Sequence, residues 1–203
     1  MARLKEFDED KALDSAVDCF WEHGYEATSV RDLASAMGIC SASFYNAYGD
    51  KRALFAVALE RYANRSMRER IARIEARHPP KQRIAAFFDE IVEKSVKDSD
   101  CKGCMLVNSA LDIGPHDAEI GTLVSGYLSE IRAFFKRSLE AARGVGDLPR
   151  RLDAEATADH FLGVLVGIRV LARTKIGRST ERRRVLMAVA QPALTILAQR
   201  RAR

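Results

Sequence analysis

The sequence predicts an all-α protein. Apolar residues recur three and four positions apart through most of the chain, β-type alternating runs are few, and there are only five prolines in 203 residues. About nine helices are expected, arranged as a three-helix N-terminal head over residues 1–50 and a larger helical body over 51–203.

The first helix is expected over about 8–23, where Leu13, Ala16, Val17 and Phe20 repeat at helical spacing. Gly24 follows where a left-handed residue typically stops a helix. Thr28 or Ser29 can accept hydrogen bonds from free N–H groups and open a short second helix. Its apolar face is Val30, Leu33, Ala34 and Met37, and Gly38 ends it. A third helix begins near Ser41 and runs to about Tyr48. Gly49 stops it, and Asp50 can cap a long fourth helix reaching about Arg77. His78-Pro79-Pro80 marks a boundary, because the residue before a proline is pushed out of helix. Helices follow over about 81–97, 104–113, 117–143, 152–175 and 180–200. Asp98-Ser99-Asp100 with Gly103, Gly114-Pro115, and Gly144 with Gly146 separate them. There is no internal repeat and no low-complexity linker.

Hydrophobic residues at 47% and charged residues at 30% describe a globular chain. No run approaches the roughly 18 apolar residues of a membrane span, and the N-terminus lacks the apolar core of a secretory signal. A cytoplasmic protein with no membrane partner is expected. The net charge of +5 suggests a polyanionic partner, but its distribution does not. Residues 1–65 hold 8 Lys and Arg against 11 Asp and Glu. The surplus lies in the body, including Arg182, Arg183, Arg184, Arg200, Arg201 and Arg203, and such runs are usually solvated faces or tails. The case for nucleic acid therefore rests on local geometry. No Ser/His/Asp set, nucleotide loop or metal cluster is apparent, so neither an enzyme nor a cofactor or metal is expected.

Two short helices joined by a Gly-containing turn are what a helix-turn-helix requires. Ser41, Ser43, Tyr45 and Asn46 supply hydroxyl, phenol and amide groups for phosphates or base edges, while Phe44, Ala47 and Tyr48 supply packing. Arg31, Lys51 and Arg52 stand where a cation meets phosphate. On spacing alone, residues 29–48 also fit the blander reading of two core helices with polar outer faces.

As a whole, ATSVRDLASAMGICSASFYNAYGDKRALF resembles the DNA-binding segment of the TetR family of bacterial regulators. The resemblance rests on Thr28, Ser29, Val30, Leu33, Ala34, Gly38, Ile39, Tyr45, Gly49, Lys51, Ala53 and Leu54, preceded by Phe20, Gly24 and Tyr25. It covers about a quarter of the chain. It implies that Tyr45 and Lys51 touch backbone phosphate and that Ser41, Ala42, Ser43 and Asn46 face the bases, with Ser29 and Arg31 on the same surface. Two positions depart from the pattern. Cys40 replaces the usual Ser or Thr cap of the recognition helix, which leaves Ser41 as an alternative cap. Asn46 and Ala47 replace an aromatic or His, so base preference does not carry over.

One recognition helix reads few base pairs, so a homodimer on a palindromic double-stranded operator is expected. The resemblance implies that the last two long helices form the interface. These carry Leu162, Val166 and Val170, then Leu186, Val189 and Leu194, although the same residues can fill an intramolecular core. The family resemblance also implies an effector pocket between head and bundle, with Phe88, Met105, Asn108 and Tyr127 as candidate lining. Filling it would move the fourth helix and the head.

The four cysteines are Cys19, Cys40, Cys101 and Cys104. Structural disulfides are not expected in a cytosolic chain. Cys101-Lys102-Gly103-Cys104 allows several readings. Zinc would need two further ligands, and thioredoxin-type exchange would need a βαβ setting. Cys104 opens a helix beside Lys102, which would favour thiolate, and GCMLVNSALD resembles a segment of one branch of TetR-like regulators, some of which respond to oxidants or electrophiles through this cysteine. Thiol sensing through Cys104, with or without Cys101, and an inert helix-start cysteine both remain open. Cys40 is a further candidate switch. The expected function is a repressor released by a small molecule or by thiol modification. The alternative is a DNA-binding adaptor of the same fold answering to a protein partner.

Overall fold

Helix α1 (Glu9–His23) starts where the Asp8 carboxylate accepts from the Lys11 amide, and it buries Ala12, Ala16, Val17 and Phe20. The structure, a computed structural model, describes residues 8–198. Arg200, Arg201 and Arg203, with the end of the helix expected to reach 200, lie outside them. Helix α2 (Val30–Met37) opens on a capping box. Ser29 Oγ accepts from the Asp32 amide while the Asp32 carboxylate accepts from the Ser29 amide and hydroxyl. Gly38 ends it at φ +68°, a left-handed conformation that costs glycine little. Helix α3 (Ser41–Tyr48) follows and buries only Phe44 completely.

The fourth rod runs from Lys51 to Arg77 but is not uniform. Helix α4 (Lys51–Ala63) passes into a π-helical turn (Asn64–Arg68) and then into α5 (Glu69–Arg77). Apolar periodicity carries no sign of this turn. Its physical signature is a wider ring, and the Ser66 carbonyl there accepts from Arg70 Nη1 at 2.6 Å. The body continues with α6 (Pro80–Lys97), α7 (Met105–Leu111), α8 (Ala118–Gly144), α9 (Ala154–Ala172) and α10 (Ser179–Ala198). With α4, the π turn and α5 counted as one rod, the described residues form nine helical rods and no strand. Pro80 sits in the first turn of α6, where its missing N–H costs nothing.

The core is continuous from head to body. Phe20 meets Phe55 of α4 edge-on at 4.8 Å, which fastens the head to the first half of that helix. Lower down, Phe87 and Phe88 of α6, Phe134 and Phe135 of α8, and Phe161 of α9 form a fully buried aromatic cluster. Five packed rings give directional as well as area-based stabilisation. Near its start α8 passes so close to the 114–117 turn that a Cβ on Gly121 would lie 2.8 Å from the Gly114 carbonyl oxygen. Among the described residues no helix is long and apolar enough to cross a membrane.

Candidate nucleic-acid interface and effector cavity

The head presents one polar face. Ser41, Ala42, Tyr45 and Asn46 are all exposed, and their spacing of one, three and one residues puts them on one side of α3. Phe44 anchors the opposite side. Tyr45, 54% exposed, packs its ring edge-on against Phe44 at 5.5 Å, so an exposed phenol is held in place by a buried neighbour. Ser43 is turned partly inward, and its Oγ lies 3.2 Å from Cys40 Sγ. Cys40 remains the cap residue of α3 although it makes no side-chain capping bond, and Ser41 is the first helical residue. The alternative cap at Ser41 is thus not used. The hydrogen bond from Ser43 holds the exposed Cys40 thiol below its ordinary value.

Other candidates have prior engagements. The Ser29 hydroxyl is committed to the α2 capping box, while Arg31 is exposed in the first turn of α2. Lys51 Nζ donates to the Tyr25 carbonyl at 3.0 Å and sits 4.1 Å above the Tyr25 ring, which leaves its remaining protons for another acceptor. Arg52 is turned away from the head. Its guanidinium donates to both Asp117 carboxylate oxygens, at 2.5 and 2.9 Å, and to Glu119 at 2.8 Å, tying the start of α4 to the start of α8.

A second site lies in the body, where α4, the π turn, α5 and α6 through α9 enclose a cavity of about 30 Å³. Its apolar wall includes Phe87, Ile91, Leu128, Ile131 and Leu165. Its polar wall is Tyr62, Ser66, Arg70, Cys104 and Arg169. Arg169 is 3% exposed and donates to Ser95 Oγ at 3.0 Å. Arg70 is paired with Glu90 at 3.1 Å. The Tyr62 hydroxyl is buried without a hydrogen-bond partner. Burial, the largest single influence, works against ionisation of the Cys104 thiol, but the charge of Arg169 together with hydrogen bonds from the Val107 amide, Tyr62 and Arg169 outweighs it, and the thiol is held below its ordinary value. The cation beside Cys104 is thus Arg169 and not Lys102. Lys102 Nζ reaches Glu22 at 3.3 Å and lies over the Trp21 ring. Helix α7 has only seven residues, which limits any dipole contribution.

The sequence-derived lining residues are scattered. Phe88 is 0% exposed inside the aromatic cluster and has no surface to give the cavity; its neighbour Phe87, a helical step of about 100° away, lines it instead. Met105 and Asn108 face a separate void of about 20 Å³, and Asn108 Nδ2 holds the Lys102 carbonyl at 2.9 Å. Tyr127 donates its hydroxyl to Glu60 at 2.7 Å. Burial, with the Glu60 bond, raises that phenol far above its ordinary value. Cys101 lies in the loop before α7 at φ +56°, beside a surface recess and outside the cavity. Among the described residues no group of three His, Cys, Asp or Glu side chains could hold a metal ion. Tyr62, Arg70 and Arg169 are cavity residues that sequence patterning does not single out. Arg169 carried the one available signal, a charged residue within the apolar run of α9.

On the outer side of the body, Leu162 and Val166 of α9 are half-buried and Val170 is exposed, a stripe at i, i+4 and i+8. Val189 and Leu194 of α10 are half-buried. Leu186 is 0% exposed in the subunit's own core, so it has no surface for a partner.

Comparison with known proteins identifies the family and the fold. The family described as bacterial regulatory proteins, tetR family, matches residues 12–58, and the tetracyclin repressor-like C-terminal domain matches residues 80–189. The HTH-type transcriptional regulator YezE of Bacillus subtilis (strain 168) is 35% identical over 148 residues, covering 73% of this chain and 76% of that protein. The HTH-type transcriptional repressor ComR of Escherichia coli (strain K12) is 30% identical over 196 residues, 96% of this chain and 90% of ComR. A cysteine mutant of the TetR family regulator CifR, solved with 26-bp double-strand operator DNA, superposes with a TM-score of 0.83 at 30% identity, covering 96% and 98% of the two chains.

Proposed function

Because the chain belongs to the TetR family of DNA-binding transcriptional regulators, we propose that it is a homodimeric repressor of a palindromic operator, released when a small molecule or a thiol modification alters the body cavity. The observation that carries the DNA half of this reading is the exposed face of α3, with Ser41, Ala42, Tyr45 and Asn46 together over a buried Phe44. Tyr45, Lys51 and Arg31 hold the phosphate backbone. Ser41, Ala42, Asn46 and the partly inward Ser43 set the sequence read. Ser29 supports the same surface through the amino end of α2. The stripe of Leu162, Val166 and Val170, with Val189 and Leu194, joins two copies so that their α3 helices reach successive major grooves.

The release half rests on position. The cavity is bounded by α4 and the π turn, and the same α4 is fastened to the head through Phe55 and to α8 through Arg52. An occupant that widens the cavity shifts α4 and with it the spacing of the two heads. Such an effector must bind the DNA-incompetent spacing more tightly than the competent one. Modification of the Cys104 thiol would act at the same place.

Selection from random double-stranded DNA with the purified protein tests the reading. The expected product is a palindrome bound by two chains, with an affinity that falls steeply with salt. Failure to enrich any sequence, or enrichment of an isolated half-site bound by one chain, contradicts it.

A further inference from the structure

The cavity's polar wall is assembled for a negative charge. Arg169 is buried on an otherwise apolar helix, and among the described residues no carboxylate stands within ion-pair distance of it. Its neutral partner is Ser95, and the ionisable group beside it is the Cys104 thiol. Across the same space the Tyr62 hydroxyl is buried without a well-aligned hydrogen-bond partner, beside the Cys104 thiol and Arg169. A buried guanidinium lacking a carboxylate and a buried hydroxyl lacking an acceptor are each costly alone. One ligand carrying two acceptor oxygens would satisfy both.

We infer that this cavity binds a small organic acid, with its carboxylate between Arg169 and Tyr62 and its hydrocarbon part against Phe87, Ile91, Leu128 and Leu165. This rests on the proposed effector-responsive function and names the chemical class of the effector. A carboxylate is favoured because Arg169 is, among the described residues, the cation in the cavity wall itself without an ion pair; Arg70 there is engaged by Glu90, which it shares with Arg73. A guanidinium also meets a carboxylate with two parallel hydrogen bonds. The present space of about 30 Å³ holds little more than a water, so binding the acid must move the wall. The wall has a place to move. Tyr62 and Ser66 also form the floor of an open groove of about 310 Å³ between α1 and the π turn, bordered by Trp21, Arg65 and Lys94. Burial, with smaller contributions from Arg70 and Arg169, lowers Lys94 at this mouth to about 8.

Without an acid, the Cys104 thiol is the ionisable group that the protein itself sets beside Arg169. The groups that face the thiol are Tyr62 from α4, Arg70 from α5, Lys94 from α6 and Arg169 from α9. When a carboxylate takes the guanidinium, the support that holds the Cys104 thiol below its ordinary value is withdrawn. Acid binding and Cys104 reactivity are therefore opposed.

The test is titration of the full-length dimer with carboxylates from acetate to benzoate, each against its amide, by calorimetry and thermal shift. At least one acid is expected to bind at least about tenfold more tightly than its amide, a ratio set by charge-assisted hydrogen bonds. Arg169→Met should abolish that preference. Tyr62→Phe removes an unpartnered hydroxyl, so without acid the variant should be as stable as the parent, while acid affinity falls about tenfold. Cys104→Ser should keep acid binding, and in the parent protein a bound acid should slow alkylation of Cys104. Equal binding of acid and amide, no binding by any acid of the series, or unchanged acid affinity in a folded Tyr62→Phe protein overturns the inference. If the acid binds as expected but DNA stays bound, the anion site stands and the release mechanism fails. If only neutral compounds bind and release DNA, the release mechanism stands and the anion site fails.

Discussion

Arg169 sits among Leu165, Ile168 and Ala172, all buried, on a helix whose pattern reads as plain core. A charge in such a setting persists only if something nearby meets it, and here Cys104 and Ser95 do. The consequence is a thiol held below its ordinary value. Alkylation of Cys104 should titrate below the ordinary thiol value of 9.0, and Arg169→Met should move its midpoint upward. A folded-state thiol value below the unfolded one means that this pair contributes fully above about 9 and is lost as the pH falls through the lowered value. Measuring the rate of iodoacetamide labelling against pH, with Cys19, Cys40 and Cys101 replaced by Ser, checks the shift. A midpoint at or above the ordinary value would remove Cys104 as a sensor. The sequence pointed at Cys104 but attached it to Lys102, three-dimensional proximity being invisible along the chain. The true neighbour stands on α9, far from the cysteine in sequence.

Helices were the legible scale. Ser29, Gly38, Asp50 and Gly49 mark ends that the structure places within a residue or two of expectation, because capping is local chemistry that a sequence displays directly. The π turn at Asn64–Arg68 was not legible, since it inserts one residue without changing which residue types are apolar. Another feature that the sequence concealed is Arg182. It reads as the start of a solvated basic run, yet it is buried and donates to the Asp98 carbonyl at 3.0 Å and to the Ala172 carbonyl. These carbonyls close the C-terminal ends of α6 and α9, where free acceptors and the helix dipole favour a cation. Arg182→Leu should cost about 1–3 kcal/mol in urea unfolding by leaving those carbonyls unmet. Replacing Arg184, two residues on and exposed, by Leu should be neutral within about 0.5 kcal/mol. Gly121→Ala should also destabilise, because its Cβ would press on the Gly114 carbonyl.

At the scale of the molecule, head and body are joined by two fastenings of different kinds. Phe55 against Phe20 and Tyr25 is apolar and independent of pH. Arg52 with Asp117 and Glu119 is ionic, and it spends a cation that sequence position had suggested for DNA. The hydrogen bonds from Arg52 lower the Asp117 carboxyl to about 2 from an ordinary 3.8. The clamp is thus fully present above about 4 and fades as the pH falls towards 2, so it does not titrate near neutrality. Asp117→Asn should speed amide exchange at the start of α4 without unfolding the body. The dimer belongs to this scale as well: Val166→Glu should shift sedimentation towards the monomer and weaken operator binding with it. The all-helical fold and the helix-turn-helix were legible because both are written in local periodicity. The cavity was not, since its polar wall comes from several elements that meet only on folding.

That the exposed face of α3 reads DNA is tested most directly by Asn46→Ala. Asn46 is exposed on α3, so its truncation leaves the Phe44 core intact. Binding of parent and variant to the selected palindrome and to unrelated DNA should be compared over a range of salt. The expected result is an unchanged circular dichroism spectrum, unchanged weak binding to unrelated DNA, and a loss on the palindrome of about 1–3 kcal/mol per half-site. Equal affinity of parent and folded variant for the palindrome would contradict it.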